Sequence, residues 1–306
     1  KTMEQLGDIK IQSDIDYRKP VKLEEQKEYN IVLNPQQRAV AESIKETMSF
    51  GKEEKPNIHL IHGITGSGKT EVYMDLIDYT IKAGKDVIVL IPEIALTYQT
   101  VMRFTRRFGD EVSIINSRLS KGERYDQFER AKNGDIHIMI GPRSALFTPF
   151  RNLGLIVIDE EHENSYKSEL SPRYDAREVA RKRGEMEGAM LVLGSATPSL
   201  ETYTRAVRGE YDLYKLTRRA KADAVLPTVE IADLREELKA GNRSIFSARL
   251  KELLEDRLEK GEQAMLFLNR RGYAGFVSCR SCGHVMKCPH CDVSLSEHNG
   301  RKLICH

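Results

Sequence analysis

The stretch Ile58-His59-Leu60-Ile61-His62-Gly63-Ile64-Thr65-Gly66-Ser67-Gly68-Lys69-Thr70 constrains what this chain can fold into more than any other. Mostly apolar residues lead into G-x-x-x-x-G-K-T, and Glu71 to Ile77 then follow with helical patterning. Strand, loop and helix in that order are the setting a phosphate-binding P-loop requires. The glycines let the backbone curl with its N–H groups inward, so that a β-phosphate sits at the helix N-terminus. Lys69 is expected to reach the β- and γ-phosphates, and the Thr70 hydroxyl to ligate Mg²⁺. Gly63, Thr65, Gly66, Ser67, Gly68 and Glu71 complete the expected nucleotide-binding set.

The rest of the chain has to supply a sheet for that loop. Asp86–Ile91 is short, continuous and β-branched, as a strand buried on both faces must be. Further strands are expected at 112–115, 136–140, 153–158 and 189–193, with helices between them. Strands alternating with helices in this way predict an α/β domain with a parallel sheet, ligands sitting at the carboxyl ends of the strands. Ahead of the P-loop, Asn34 is a good N-cap and Pro35 suits a first helical position. Gln37 in that helix has an amide able to pair with both N6 and N7 of adenine. Beyond residue 210 the pattern loosens; strands are expected at 227–233 and 263–268 and an amphipathic helix over 246–259.

Asp159-Glu160-Glu161-His162 stands at the carboxyl end of the 153–158 strand. There Asp159 is expected to hold Mg²⁺ opposite Thr70, and Glu160 to polarise the attacking water as general base. Gly194-Ser195-Ala196-Thr197-Pro198 ends the next strand and offers small hydroxyls to the acidic motif. After that motif, Tyr166 and Tyr174 are interleaved with Lys167, Arg173 and Arg177, a composition suited to stacking on single-stranded bases beside phosphate contacts.

The P-loop, Asp159–His162 and Ser195–Thr197 resemble motifs I, II and III of superfamily 2 helicases. Ile91-Pro92-Glu93-Ile94-Ala95-Leu96-Thr97, Arg143-Ser144-Ala145-Leu146-Phe147-Thr148-Pro149-Phe150 and Phe267-Leu268-Asn269-Arg270-Arg271-Gly272-Tyr273 narrow the resemblance to the PriA family of bacterial primosomal helicases. It runs from about Leu33 to His306.

The resemblance implies a RecA-like P-loop NTPase lobe with helices on both sheet faces, then the start of a second RecA-like lobe carrying an inserted zinc-binding module. By it, residues 1–30 are a linker or the tail of a winged-helix domain and 31–210 the first lobe. Residues 211–278 are then a connector and the opening of the second lobe, and 279–306 the zinc module, cut short. The implied activity is ATP-dependent 3′-to-5′ unwinding of stalled or branched forks, followed by primosome assembly. Its implied partners are forked and single-stranded DNA, primosome proteins and single-strand-binding protein, in the cytoplasm at the nucleoid. Gln37 becomes the adenine contact, and Arg143, Tyr166, Arg173 and Tyr174 become DNA contacts. Pro92-Glu93 and the Gly141–Arg143 turn would touch the DNA backbone. Asn116, Pro142 and Asp175 depart from the family's pattern. The alternatives are another superfamily 2 DNA translocase and a mainly scaffolding primosome component.

Composition bears on two points. A net charge of +2 neither argues for nor against nucleic acid, and no run of about 18 apolar residues predicts a membrane span. All 5 cysteines lie late in the chain, which reads as metal binding in a reducing compartment. Cys279-x-x-Cys282 and Cys288-x-x-Cys291 are separated by only five residues, too few for one zinc ribbon, so two sites are expected. The family pattern implies two zinc ions, with Cys288, Cys291 and Cys305 sharing one and Cys279 and Cys282 belonging to the other. A start without Met and an end within the cysteines lead us to expect a piece of a longer protein.

Overall fold

The computed structural model describes residues 32–48, 58–169, 171–220, 227–267, 277, 279, 282, 284–298 and 302–305. The expected leader and the Leu268–Tyr273 portion of the second-lobe motif lie outside these residues. Two compact units divide between Ala224 and Val225.

The first unit is a seven-stranded parallel sheet. Its strands are β1 (Ile58–Gly63), β2 (Asp86–Leu90), β3 (Val112–Ile114), β4 (Ile138–Gly141), β5 (Leu153–Ile158), β6 (Met190–Ser195) and β7 (Asp212–Leu216), in the order β3-β4-β2-β5-β6-β1-β7. Helices α1 (Pro35–Glu46), α2 (Lys69–Lys82), α3 (Tyr98–Phe108), α4 (Lys121–Asn133), α5 (Ala176–Glu187) and α6 (Leu200–Val207) supply the crossovers and cover the sheet.

Alternating strand residues divide into two cores because successive side chains point to opposite faces. Val87, Val89, Leu155, Val157 and Val192 pack with Val72, Leu76 and Ile77 of α2 and Val101 and Phe104 of α3. Ile88, Leu90, Ile156, Ile158, Leu191 and Leu193 pack on the other face with Ala131 of α4 and Ala176 and Ala180 of α5. Both faces are covered, which is why these strands read as unbroken apolar runs.

The helix starts follow the sequence. Asn34 accepts the Gln37 N–H at 2.9 Å while the Gln37 side chain accepts the Asn34 N–H at 2.9 Å, a reciprocal cap. Thr97, Ser120, Asp175 and Ser199 cap α3, α4, α5 and α6 in the same general way.

The sheet extends past residue 210, where the sequence pattern closes the lobe. Asp212–Leu216 pairs in parallel with β1, from His59 opposite Asp212 to Gly63 opposite Leu216. As an edge strand with one buried residue, Leu216, it lacks the apolar run that marks the interior strands.

The second unit contains α7 (Leu234–Lys239), α8 (Ala248–Glu259, capped by Ser247) and an antiparallel pair, β8 (Ser296–His298) with β9 (Lys302–Ile304). The helix expected over 246–259 is present. The strands expected at 227–233 and 263–268 are not formed among the described residues; Ile231 and Met265 are fully exposed, and no described neighbour supplies a ladder of hydrogen bonds. No helix among the described residues is long and apolar enough to cross a membrane.

Candidate active site

The carboxyl ends of β1, β6 and β5 lie side by side, and each ends in one of the motifs. Past β1 the chain turns through Gly66 (φ +78°) and Gly68 (φ +81°), left-handed conformations that glycine adopts without strain. A Cβ on Gly68 would stand 2.1 Å from the Gln37 amide nitrogen. Thr65 and Gly66 are exposed, Ser67 and Lys69 are buried, and Thr70 occupies the first turn of α2. The Lys69 ammonium donates to the Gly63 carbonyl at 3.0 Å and lies 3.7 Å from Glu160. Glu71 is paired with Arg103 of α3, so its carboxylate braces the helix behind the loop.

Gln37 is buried and both ends of its amide are in use: Oε1 accepts from Asn34, and Nε2 donates to the Ser67 carbonyl at 2.9 Å. In this conformation it braces the P-loop; reading adenine requires it to exchange the bond to Ser67.

Asp159 and Glu160 leave the end of β5 in different directions. Glu160 has φ +46°, a left-handed conformation that costs a non-glycine residue of order 1–3 kcal/mol and recurs at functional sites. That turn sends its carboxylate between Lys69 and His162, whose Nδ1 is 3.6 Å away. His162 Nδ1 in turn meets the Ser195 hydroxyl at 2.7 Å, so a polar chain runs from the P-loop lysine to the end of β6.

Asp159 is held by two tyrosines. The Tyr73 hydroxyl donates to its carboxylate at 3.1 Å. Tyr73 reaches it because Gly194 has no side chain: a Cβ there would lie 1.5 Å from the Tyr73 oxygen. The Tyr166 hydroxyl contacts the Asp159 carbonyl at 2.6 Å and the Leu90 carbonyl at 3.1 Å. The expectation that Tyr166 stacks on DNA is therefore corrected. It is 1% exposed, because its ring fills the α5 face of the sheet while its hydroxyl ties β5 to β2. Sequence reading missed Tyr73 as well; its place in the P-loop helix carried no sign of which strand end it would meet.

Burial, and then the charge of Glu160, push the Asp159 carboxyl up to about 6; Lys69 and the Tyr73 hydroxyl oppose this. In the unfolded chain the group titrates near its ordinary value of about 3.9. Between about pH 4 and 6 the folded state therefore holds the extra proton, and stability falls as pH rises through that window. Above it the ionised carboxylate costs on the order of 3 kcal/mol. Asp159→Asn is expected to raise the Tm by several degrees at about pH 8 in chelator, with the gain vanishing near pH 4. Thermal unfolding of both proteins across that range checks it; a pH-independent difference would contradict the assignment.

Glu161 is fully buried and points the opposite way from Glu160. It accepts from the Ser199 N–H at 2.6 Å, the Ser199 hydroxyl at 3.1 Å and the Thr202 hydroxyl at 3.0 Å, all at the start of α6. Arg177 donates to its carbonyl at 2.9 Å and is itself clamped by Asp175 through Nε and Nη2, at 2.9 and 2.7 Å. The Asp175 departure thus has a local role: it caps α5 and aims Arg177 at the acidic motif.

The expected DNA-facing residues lie around the same turn. Arg143 Nη1 donates to the Ser165 and Lys167 carbonyls at 2.9 and 3.0 Å, on either side of Tyr166. Arg173 is exposed, with Nε on the Glu169 carbonyl at 3.2 Å. Tyr174 is half-buried, edge-on to the exposed ring of Phe147 at 5.4 Å. Pro142 opens the short helical turn that carries Arg143 and Phe147. Glu93 takes the Ser117 N–H at 2.8 Å, and hydrogen bonds from Ser117 hold its carboxyl below the ordinary range. Asn116 closes the same loop by accepting the Arg118 N–H at 3.0 Å.

Residues 30–200 match the family model described as ResIII, type III restriction enzyme, res subunit. Replication restart protein PriA of Bacillus subtilis is 49% identical, covering 100% of this chain and 38% of that protein. Replication restart protein PriA of Synechocystis sp. is 50% identical, covering 81% of this chain and 31% of that protein. The chain belongs to the PriA family. It spans well under half the length of these relatives, and the ResIII match falls within its seven-stranded unit. Among solved structures, RecG bound to a three-way DNA junction aligns at 22% identity and a TM-score of 0.48, over 64% of this chain and 25% of that one.

The cysteines of this PriA-family chain gather in its second unit. The sulfurs of Cys288, Cys291 and Cys305 all lie within 4.8 Å of one another. The turn from Cys288 to Cys291 is closed by the Cys288 N–H on the Val293 carbonyl at 2.9 Å, and the β8–β9 pair returns Cys305 beside it. The His290 N–H, 3.4 Å from the Cys288 sulfur, draws that thiol below its ordinary value. Hydrogen bonding with Cys291 and Cys288 pushes Cys305 up to about 12. Three thiols sharing so small a space fit three of the four corners of a zinc tetrahedron. Cys279 and Cys282 are not part of this trio.

Proposed function

We propose that the intact protein is an ATP-dependent 3′-to-5′ DNA helicase. On this reading it recognises and remodels stalled or branched replication forks and initiates primosome assembly for replication restart. The observation that carries it is the meeting of Lys69, Asp159 and Glu160 at the ends of β1 and β5, in a chain whose relatives bear the name replication restart protein PriA. ATP binds with its phosphates on the P-loop, and Lys69 moves from the Gly63 carbonyl to them. Thr70 and Asp159 hold Mg²⁺, which neutralises phosphate charge when bound. Glu160 takes the proton of the attacking water.

DNA lies over Arg143, Arg173, Tyr174 and Phe147. The exposed Phe147 ring and Tyr174 offer a base-stacking edge, and the arginines offer phosphate contacts. Arg143 grips the carbonyls flanking Tyr166, and Tyr166 grips Asp159, so bound DNA has a short physical route to the hydrolytic carboxylates. Cys288, Cys291 and Cys305 hold one zinc ion and Cys279 and Cys282 share in a second, both structural. This module receives primosome proteins and single-strand-binding protein, and the protein works in the cytoplasm at the nucleoid.

The test is ATP hydrolysis by the intact protein on forked, single-stranded and duplex DNA. Lys69→Ala is expected to abolish the DNA-stimulated rate; an undiminished rate would sink the motor reading. The thiol cluster favours a second, scaffolding reading, which would prevail if the Lys69→Ala protein still assembled primosomes at the normal rate.

A further inference from the structure

Past β7 the chain does not leave the nucleotide site. It runs along the P-loop and is tied to it repeatedly. Ile64 donates to the Leu216 carbonyl at 3.1 Å, and Ala220 donates to the Gly66 carbonyl at 2.8 Å. The Gln36 amide donates to the Lys215 carbonyl and the Thr217 hydroxyl, both at 3.2 Å. These bonds fix the arm Thr217–Ala220 between the start of α1 and the tip of the P-loop.

The arm carries a cation to that tip. A Cβ built on Gly66 would lie 4.0 Å from both Cγ and Cδ of Arg219, so the aliphatic stem rests on the loop turn. Arg219 Nε is buried and has no hydrogen-bond partner among the described residues, and the neighbouring Ser67 hydroxyl is in the same condition. An unpaired buried donor costs about 1–3 kcal/mol. One lies in a loop whose backbone is shaped for phosphate and the other belongs to a side chain resting on that loop, and donors left unmet there suit an anionic ligand.

We propose that Arg219 is a nucleotide-binding residue, a cation placed on the phosphates that a nucleoside diphosphate and triphosphate share, by the arm that follows β7. This rests on the reading of Gly63–Thr70 as the nucleotide site. A guanidinium keeps its charge at any working pH and presents a planar fork that matches phosphate oxygens. The arm is already anchored at both ends, so little ordering cost falls on binding. Arg219 would act from within the nucleotide-binding unit itself.

The test is ADP affinity by titration calorimetry on the intact protein, comparing Arg219→Ala, Arg219→Met and Lys69→Ala with the unsubstituted protein. Met keeps the stem against Gly66 and removes the charge. Both Arg219 variants are expected to bind ADP about tenfold more weakly, the loss of one charge-assisted contact, with the nucleotide-free Tm of Arg219→Met not lowered, since an unpaired buried donor is removed. ADP affinity equal to the unsubstituted protein in Arg219→Met would overturn the proposal, since packing and not charge would then be the arginine's contribution. If Lys69→Ala alone loses affinity, Arg219 is excluded and the P-loop reading stands. If Lys69→Ala binds ADP normally, the P-loop reading itself fails.

Discussion

Glu160→Gln in the intact protein is expected to bind ATP and to lose about 10²–10⁴-fold in DNA-stimulated hydrolysis, the contribution of a positioned general base. Gln keeps the shape of the side chain and still places an oxygen near Lys69, 3.7 Å away. It cannot take a proton from water. The left-handed backbone at Glu160 is what turns this carboxylate toward Lys69 and His162, away from the core. Steady-state phosphate release and ATP affinity, measured together, check the expectation. A variant that hydrolyses at the parental rate would remove Glu160 from the chemistry, and one that loses ATP affinity equally would make it a binding residue.

Its neighbour should behave in the opposite manner. Glu161→Ala is expected to destabilise the first unit by on the order of 3–5 kcal/mol, because it leaves several buried donors at the start of α6 without their acceptor, each costing about 1–3 kcal/mol. Ser199 and Thr202 lose their acceptor, and the Arg177 guanidinium, 3.7 Å from the carboxylate, loses the second of its two opposing charges and keeps Asp175. For a unit of this size that corresponds to a fall of roughly 10 °C in Tm. Glu161→Gln, which retains an acceptor oxygen for α6, should lose less. Thermal unfolding of the three proteins decides the matter; a fall of less than about 1 kcal/mol, the range of an exposed ion pair, would show that water replaces the clamp.

These two adjacent glutamates show where sequence reading stops. Both belong to Asp159-Glu160-Glu161-His162, and position in the motif supports Glu160 as the base. That Glu161 is the peg joining this motif to the start of α6 depends on Ser199 and Thr202, which are distant in sequence and arrive through β6. Tyr166 and Tyr174 present a similar contrast. Among lysines and arginines both suit base stacking, yet one lies in the core with its hydroxyl on two carbonyls and the other is half-buried at the surface beside Phe147. Phe147 sits within the Arg143–Phe150 segment and gave no sign of exposure, since a large apolar ring is more often buried.

The P-loop turn and the positions of the interior strands along the chain were legible because their causes are local. Glycine tolerates the left-handed turns of the P-loop, Asn34 with Pro35 starts a helix, and a doubly covered strand must be apolar throughout. The closeness of Cys288 to Cys291 was likewise legible, because a C-x-x-C turn brings its own thiols together, whereas Cys305 was joined to them only by what the family resemblance implies. The edge strand β7 was not, because pairing with β1 on one side leaves most of its side chains exposed and its pattern weak.

The chain's own sequence determined that a parallel sheet would present a glycine-rich P-loop turn, with an acidic motif ending a later strand, since backbone propensity and burial period are written residue by residue. Only the tertiary structure decided which acid faces Lys69 and which is buried, that Tyr73 reaches Asp159 through the space Gly194 leaves, and that Arg219 lies against Gly66. Each of these is a contact between segments far apart in sequence, and its geometry exists only once the strands have taken their order in the sheet.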